Sequence, residues 1–484
     1  MYYQPDIDFD AFLKPKSIAV IGATERSTWG NWVIKSLLTQ GFPGKVYPVN
    51  PNVEMILNSP CYPTVKAIEG PVDLAIIAIP ADYVFDSIRD CAAKGVKASI
   101  IITAGFSEAV TEGSEQEQKI VSYAHAHGMR IVGPNVSGII NLHADLLAQP
   151  ANRAQLCMTP VAFIAQGGYA VGDLAAHEVS SKRGYGKFLH TGNEADIEVT
   201  DFLEYLEHDP DTRVICMYVE GIRDVPRFRE VARRVSPKKP IVLFKGGVTP
   251  DGGRAAASHT GALAGSKDIY RGLFRQSGVV SSPSFELMLC VAHAFLEHPP
   301  LKQGSIGIIT YGGSWGVMLT DALVRQGLSV PELSADLQTQ FRRMGMPDRA
   351  SVRNPLDIGA AHGALRSDHT KEMISVLARS TTIGGLVIHG FGKAGTIDEG
   401  SSEFERKSLE QDMELVRWAH KKQKEYQKPI LFCSLLNQQQ SSAVRIAVGE
   451  GIPFYERVDD VAAVLNCLAE YGKIHPNGER LEVS

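Results

Sequence analysis

Ser17-Ile-Ala-Val-Ile-Gly22-Ala-Thr-Glu-Arg-Ser-Thr-Trp-Gly30 carries the pattern on which the fold turns. A short apolar run ends at a glycine, and from Trp29 to about Thr39 apolar residues return at helical spacing. A buried strand, a glycine turn and a helix form the opening unit of a doubly wound α/β domain. The unit then repeats. Lys45-Val-Tyr-Pro-Val-Asn50, Leu74-Ala-Ile-Ile-Ala-Ile79, Ala98-Ser-Ile-Ile-Ile102 and Arg130-Ile-Val132 read as further strands, with helices near 83–94 and 113–127 between them. Strands this uniformly apolar suit a parallel sheet covered on both faces.

A second series starts at Val161-Ala-Phe-Ile164 and continues through Phe188-Leu-His190, Arg213–Val219 and Ile241-Val-Leu-Phe244. After the polar, proline-bearing break His298–Gly304 a third runs through Ser305–Thr310, Gly385–His389 and Ile430–Cys433 to a helix near 457–472. The expectation is three α/β domains, 1–150, 151–300 and 301–484, with Phe391–Glu405 an exposed loop.

Of the 484 residues, 44% are hydrophobic and 21% charged, as in ordinary globular proteins, and the net charge of -5 argues against a nucleic-acid-binding surface. No apolar run approaches the roughly 20 residues of a membrane span, and the acidic start does not resemble a signal peptide. The seven cysteines include no Cys-x-x-Cys pair and mostly sit in apolar runs. That pattern suits buried thiols in a reducing, cytoplasmic setting and offers no metal ligand set.

At the end of the first strand, a helix N-terminus and backbone amides suit a nucleotide-bearing ligand. The Gly-x-Gly-x-x-Gly fingerprint is absent, and the second strand ends at Asn50 rather than at an acid. A nicotinamide dehydrogenase is therefore the weakest reading. The turns Ile79-Pro80, Thr103-Ala-Gly105-Phe106-Ser-Glu108 and Gly133-Pro134-Asn135 fall at the same edge of the expected sheet. The stretch Gly252-Gly-Arg-Ala-Ala-Ala-Ser258-His259-Thr260-Gly-Ala-Leu-Ala-Gly265 reads as a flexible loop after the strand at 240–244, with a helix starting near Thr260. His259 there is either an accessible nucleophile, its unperturbed pKa near about 6.5, or a plain helix cap.

Phe12–Ala23, Tyr47–Pro51, Ala104–Glu108 and Gly133–Asn135 resemble the coenzyme A-binding domain of the NDP-forming acyl-CoA synthetases. Gly192–Asp196, Tyr218-Val-Glu220-Gly-Ile222, Ala256–Gly265, Asn354–Asp357 and Gly451–Tyr455 are similar to later family segments in the same order. The resemblance implies a Rossmann-like CoA-binding domain followed by two flavodoxin-like, succinyl-CoA synthetase-like domains. CoA would lie against Gly22, Ala23, Thr24, Asn50, Pro51, Ile79, Pro80, Gly105, Phe106, Glu108, Pro134 and Asn135. His259 would carry the phosphoryl group, with Glu220 orienting it and Asn193, Glu194 and Asp196 supporting the site. Phosphate and acid would meet Gln166, Gly167, Gly168, Tyr169, Ser258, Thr260, Tyr311 and Trp315.

The resemblance further implies an α-type subunit of a hetero-oligomer such as α2β2. An ATP-grasp β subunit would supply the ATP/ADP site with Mg²⁺, since nothing after residue 300 reads as that module. Ala165-Gln-Gly-Gly-Tyr169 stands where the family reads Ser-Gln-Ser-Gly, and Tyr311-Gly-Gly-Ser-Trp-Gly316 where it has Asn-Ala-Gly-Gly-Pro-Gly. Val136 and Ser137 are also unusual. Tyr169, Tyr311 and Trp315 are either an aromatic wall for a larger acid or packing residues. The altered loop keeps a second reading open, a non-catalytic CoA- or acyl-CoA-binding regulatory protein on the same scaffold.

Overall fold

The computed structural model describes residues 6–109, 112–260, 267–361 and 367–475, with the side chains of residues 257–260, 360, 361 and 367 outside that description. The chain divides into two compact units, Met1–Ser281 and Ser282–Ser484.

The first unit contains two large sheets. β1 (Ser17–Ile21), β2 (Lys45–Val49), β5 (Leu74–Ile77), β6 (Ala98–Ile101) and β7 (Arg130–Val132) form a parallel sheet in the order β2-β1-β5-β6-β7. A hairpin of β3 (Met55–Ile56) and β4 (Ser59–Pro60) stands apart from it. β1, β5, β6 and β7 are buried at every position, which is why their sequences lack polar alternation. Helices Trp29–Thr39, Val84–Lys94 and Gly113–Ala126 accompany the strands.

Two glycines set the geometry at the end of β1. Gly22 has φ +91°, and a Cβ there would lie 2.3 Å from the Ala78 carbonyl oxygen. A Cβ on Gly30 would lie 2.0 Å from the Gly22 carbonyl oxygen, so the start of the Trp29–Thr39 helix rests directly on the strand end.

The second sheet has the order β14-β13-β12-β10-β11-β8-β9. Its strands are β8 (Ile139–Asn141), β9 (Leu146–Ala148), β10 (Val161–Ala165), β11 (Lys187–His190), β12 (Val214–Val219), β13 (Ile241–Lys245) and β14 (Val280–Ser281). The strands from β10 to β14 are parallel, whereas β8 and β9 extend one edge antiparallel. One apolar core runs through both sheets of the unit: Ile18, Val20 and Ile76 share a cluster with Ile164, Met217 and Leu243. Each such side chain contributes about 1.5–3 kcal/mol by leaving water.

The stretch expected to be a loop around residue 252 is helical from Pro250 to Thr260. Thr249 Oγ accepts from the Gly252 N–H at 3.0 Å, Pro250 opens the helix and Asp251 lies in its first turn. Ala255–Ala257, the best helix formers, continue the helix, although Gly252 and Gly253 cost about 1 kcal/mol each relative to alanine. His259 therefore lies within a helix rather than in a loop that precedes one.

The second unit is built on a parallel sheet of β15 (Ile306–Thr310), β16 (Leu356–Asp357), β17 (Gly385–His389), β18 (Ile430–Cys433) and β19 (Phe454–Tyr455), in the order β16-β15-β17-β18-β19. Its core gathers Ile309, Leu386, Ile388, Phe391 and Phe432. After an irregular stretch from Gly390, helix Glu403–Tyr426 begins with a Ser402/Glu405 capping box. All seven cysteines are free thiols, and no helix among the described residues is long and apolar enough to cross a membrane.

Candidate functional site

A cleft of about 640 Å³ opens within the first unit, where the carboxyl ends of its two sheets meet. On one side are Thr28 and Trp29 at a helix start, Ile79 and Pro80 after β5, and Thr103 after β6. On the other are Gln166–Ala170 after β10, His190 at the end of β11, and Tyr218 and Glu220 at the end of β12. Asn135, Val136 and Ser137 join the two sides. Helix Tyr169–Glu178 begins at the cleft, so amide dipoles of its first turn favour an anion there.

Glu220 is held from several directions. Gln166 Oε1 accepts from the Glu220 N–H and from the Gly221 N–H at 2.9 Å, while Gln166 Nε2 donates to the Gly221 carbonyl at 2.9 Å. Lys245 Nζ donates to the Glu220 carbonyl at 2.7 Å. Burial pulls the Lys245 ammonium below its usual range, against the opposing pull of Glu220. The Tyr218 hydroxyl donates to Glu220 Oε1 at 2.9 Å, and burial followed by the nearby Glu220 charge pushes that phenol up. Tyr218 consequently stays a donor at every physiological pH.

His190 joins the two sides of the cleft. The Ser137 backbone N–H donates to Nδ1 at 2.7 Å, which puts the ring hydrogen on Nε2, facing the Gln166 carbonyl at 3.1 Å. Ser137 Oγ lies 2.9 Å from the same Nδ1 and donates to Gln149 Oε1 at 3.1 Å. A Cβ on Gly168 would fall 2.5 Å from His190 Nδ1, so the imidazole occupies the space a side chain at 168 would need.

Behind the cleft, polar groups pin one sheet's loops to the other's. Asn193 Nδ2 donates to Glu117 Oε1 at 2.8 Å and to Glu108, whose carboxylate also accepts from Gly105 and Phe106 N–H groups. Burial opposes ionisation of Glu108, but these bonds outweigh it and hold its carboxyl below the usual range. Asp196 accepts from His125 Nε2 at 2.9 Å, from Arg130 Nε at 3.0 Å and from the Ile131 N–H at 2.7 Å. Its burial is likewise outweighed, and its carboxyl is held low. Glu194 is different. Burial pushes it up to about 7 despite the Thr191 hydroxyl that donates to it at 2.9 Å.

Among the residues singled out in the sequence, Ile79, Pro80, Asn135, Gln166, Gly167, Gly168, Tyr169 and Glu220 come together at the cleft. Gly22, Ala23, Thr24, Asn50 and Pro51 build the neighbouring turns: Asn50 Nδ2 donates to the Ala23 carbonyl at 2.8 Å, and Asn31 Nδ2 to the Thr24 carbonyl at 3.0 Å. Gly105 (φ +105°) and Glu108 shape the loop after β6, and Phe106 is fully buried in the core. Pro134 follows a cis peptide bond and its carbonyl accepts from the Asn193 N–H at 3.0 Å. The side chains of Ser258, His259 and Thr260 lie outside the described residues.

Tyr311 and Trp315 belong to the second unit. Tyr311 packs edge-on against Phe391 at 6.0 Å, and Trp315 stacks on His389 at 4.3 Å. Burial, then the Lys393 charge, pushes the His389 imidazole down to about 4.

Sequence reasoning passed over the Tyr218 hydroxyl and His190. Tyr218 is two residues from Glu220, the spacing that puts side chains on one face of a strand, and His190 ends an apolar strand at the ligand-facing edge. Those were the available signals.

Three family models match the chain: "CoA binding domain" over residues 16–141, "Succinyl-CoA ligase like flavodoxin domain" over 159–295, and "Ligase-CoA domain" over 306–390. Acetate–CoA ligase [ADP-forming] II subunit alpha of Pyrococcus furiosus is 36% identical over 478 residues, 96% of this chain and 98% of that one. Acetate–CoA ligase [ADP-forming] I of Archaeoglobus fulgidus is 38% identical across 75% of this chain, but the match spans only 52% of the relative. The solved Ca. Korarchaeum cryptofilum dinucleotide forming acetyl-coenzyme A synthetase 1, in complex with phosphate and ADP, has a TM-score of 0.82 at 30% identity, covering 97% of this chain and 98% of its own. With strand-end cleft, domain series and near-complete coverage in agreement, the chain belongs to the NDP-forming acyl-CoA synthetase superfamily as an α-subunit-type chain.

Proposed function

We propose that this chain is the α-type subunit of an ADP-forming acyl-CoA synthetase, an acid–thiol ligase that works with an ATP-grasp β subunit in a hetero-oligomer. Together they would catalyse acid + CoA + ATP ⇌ acyl-CoA + ADP + phosphate, with nucleotide and Mg²⁺ on the partner. The observation that carries this reading is the single cleft that joins the strand ends of the CoA-binding sheet to Glu220 and to the glycine-rich start of helix Tyr169–Glu178. Its volume is that of a small-ligand site. CoA would enter along Thr28–Trp29 and Ile79–Pro80, where the close Gly22–Gly30 packing leaves the helix N-terminus next to the cleft.

In the synthetic direction a carboxylate oxygen of the acid attacks phosphorus on phosphohistidine 259. The N–P bond breaks and an acyl phosphate forms. The CoA sulfur then attacks the acyl carbon, the C–S bond forms, and phosphate departs with the thiol proton. Backbone amides at Gly167–Tyr169 would hold the phosphoryl oxygens, since Ala165 and Gly167 offer no hydroxyls. Glu220 would accept the imidazole N–H of His259 and stabilise its positive charge as phosphate moves. The covalent carrier divides transfer between two separated sites into two in-line steps.

The missing hydroxyls at 165 and 167 are what favour the alternative, a CoA-binding regulator without turnover. Purified chain combined with an ATP-grasp subunit, MgATP, CoA and a panel of acids separates the two. The synthetase reading predicts ADP and acyl-CoA released in equal amounts. CoA binding by calorimetry with no turnover on any acid would favour the regulator.

A further inference from the structure

Tyr218 is a half-buried ionisable group at the cleft with a hydrogen bond to the one carboxylate that the proposed chemistry needs. Gln166 holds Glu220 by its N–H, Lys245 by its carbonyl, and the Tyr218 hydroxyl by Oε1 at 2.9 Å. The first two fix the backbone. The third acts on the carboxylate plane itself, which the last torsion of a glutamate otherwise leaves broad and nearly two-fold.

The surroundings are shaped to keep the phenol there. A Cβ on Gly167 would approach the Tyr218 ring to 3.1 Å, and one on Gly246 would approach its hydroxyl oxygen to 2.9 Å. Phe244 lies parallel to the ring, 6.3 Å away at 13°. Glycines on two separate loops therefore leave a slot of ring width, and the hydroxyl at its end meets Glu220. A tyrosine needed only to fill space would not require its hydroxyl to end on a carboxylate lining the cleft.

We propose that Tyr218 is a positioning residue for phosphoryl transfer, holding the Glu220 carboxylate in the orientation in which it meets the histidine carrier. This rests on the synthetase reading above. Losing the partner that orients a ligating side chain at a metal site costs about 10–100-fold, and a loss of that order is expected for this orienting hydroxyl.

The test is the single-turnover rate of phosphohistidine formation in the assembled enzyme with MgATP, for wild type, Tyr218→Phe, Glu220→Gln and the double variant. Tyr218→Phe should slow labelling about 10–100-fold. The double variant should be no slower than Glu220→Gln alone, because both changes remove one function. Gly246→Ala, which keeps the tyrosine and its hydroxyl but pushes the phenol off Glu220, should slow labelling as Tyr218→Phe does. Full-rate labelling in Tyr218→Phe, or a double variant slowed by the product of the two single effects, would overturn the proposal. Loss of CoA binding in both Tyr218→Phe and Gly246→Ala would also overturn it, since a general structural role would then account for the slowing. Failure of the wild type itself to label would instead remove the synthetase reading, and this proposal with it.

Discussion

Gly168→Ala inserts one methyl group at the most crowded point of the cleft. Gly168 has φ −94° and ψ −35°, an ordinary helical conformation that alanine adopts without strain. On backbone grounds alone the change should stabilise the fold by about 0.4–1 kcal/mol, through lower entropy of the unfolded chain. Packing reverses the sign. The new Cβ would lie 2.5 Å from both His190 Nδ1 and Ser137 Oγ, and 2.6 Å from His190 Cε1. The serine hydroxyl can rotate away, but the imidazole is buried and bonded at both nitrogens.

Moving the ring would sacrifice the 2.7 Å bond from the Ser137 N–H and the 3.1 Å bond to the Gln166 carbonyl. Each contributes about 1 kcal/mol. Overpacking adds about 1–3 kcal/mol. After subtracting the backbone gain, the expected destabilisation is about 2–4 kcal/mol. Urea unfolding followed by circular dichroism should show the midpoint of the first unit's transition falling by roughly 1 M or more. In a His190→Ala background the methyl has room, and Gly168→Ala should become neutral or stabilising. A variant as stable as wild type, or one equally destabilised with and without His190, would refute this packing.

Two further outcomes follow from buried carboxylates. The Glu194 pKa is raised from its ordinary 4.5 to about 7 in the folded state, so folding favours its neutral form and stability declines as pH rises through that interval. Glu194→Gln, which mimics the neutral form, should match wild type near pH 4.5 and exceed it by about 3 kcal/mol well above pH 7, as read from urea midpoints; parallel stability–pH curves would contradict this. Asp196 is the opposite case. Its folded pKa is held low, so its contribution is present above the unfolded value of about 3.9 and is lost as pH falls through the folded one. Asp196→Asn leaves the buried Arg130 without its counter-charge and should cost about 3–5 kcal/mol at pH 7; a loss under about 1 kcal/mol in thermal unfolding would show that Arg130 finds another partner.

The parallel strands were legible because burial on both faces writes itself as uninterrupted apolar runs, as in Ser17–Ile21, Arg130–Val132, Gly385–His389 and Ile430–Cys433. The antiparallel edge of β8 and β9 was not, since three-residue strands carry too little pattern to distinguish from turns. Helix Pro250–Thr260 was hidden by its glycines, although Thr249-Pro250-Asp251 is a helix start in its own right. At the site, residues fixed by neighbours in the chain were readable, such as the Gln166–Gly168 turn after β10. Those defined by partners far along the chain were not: Ser137 meets His190 across 53 positions, and Glu108 meets Asn193 across 85. Nothing local to Phe106 distinguishes a cleft residue from the core residue it is.

The phosphoryl state of His259 tests the proposed function most directly. The chain with an ATP-grasp partner, incubated with [γ-32P]ATP and Mg²⁺, should acquire acid-labile, base-stable label on the peptide containing His259. Addition of the acid and CoA should discharge that label, and His259→Ala should abolish it. Absence of such label from the wild-type assembly, or its persistence in His259→Ala, would contradict a phosphohistidine carrier in this chain.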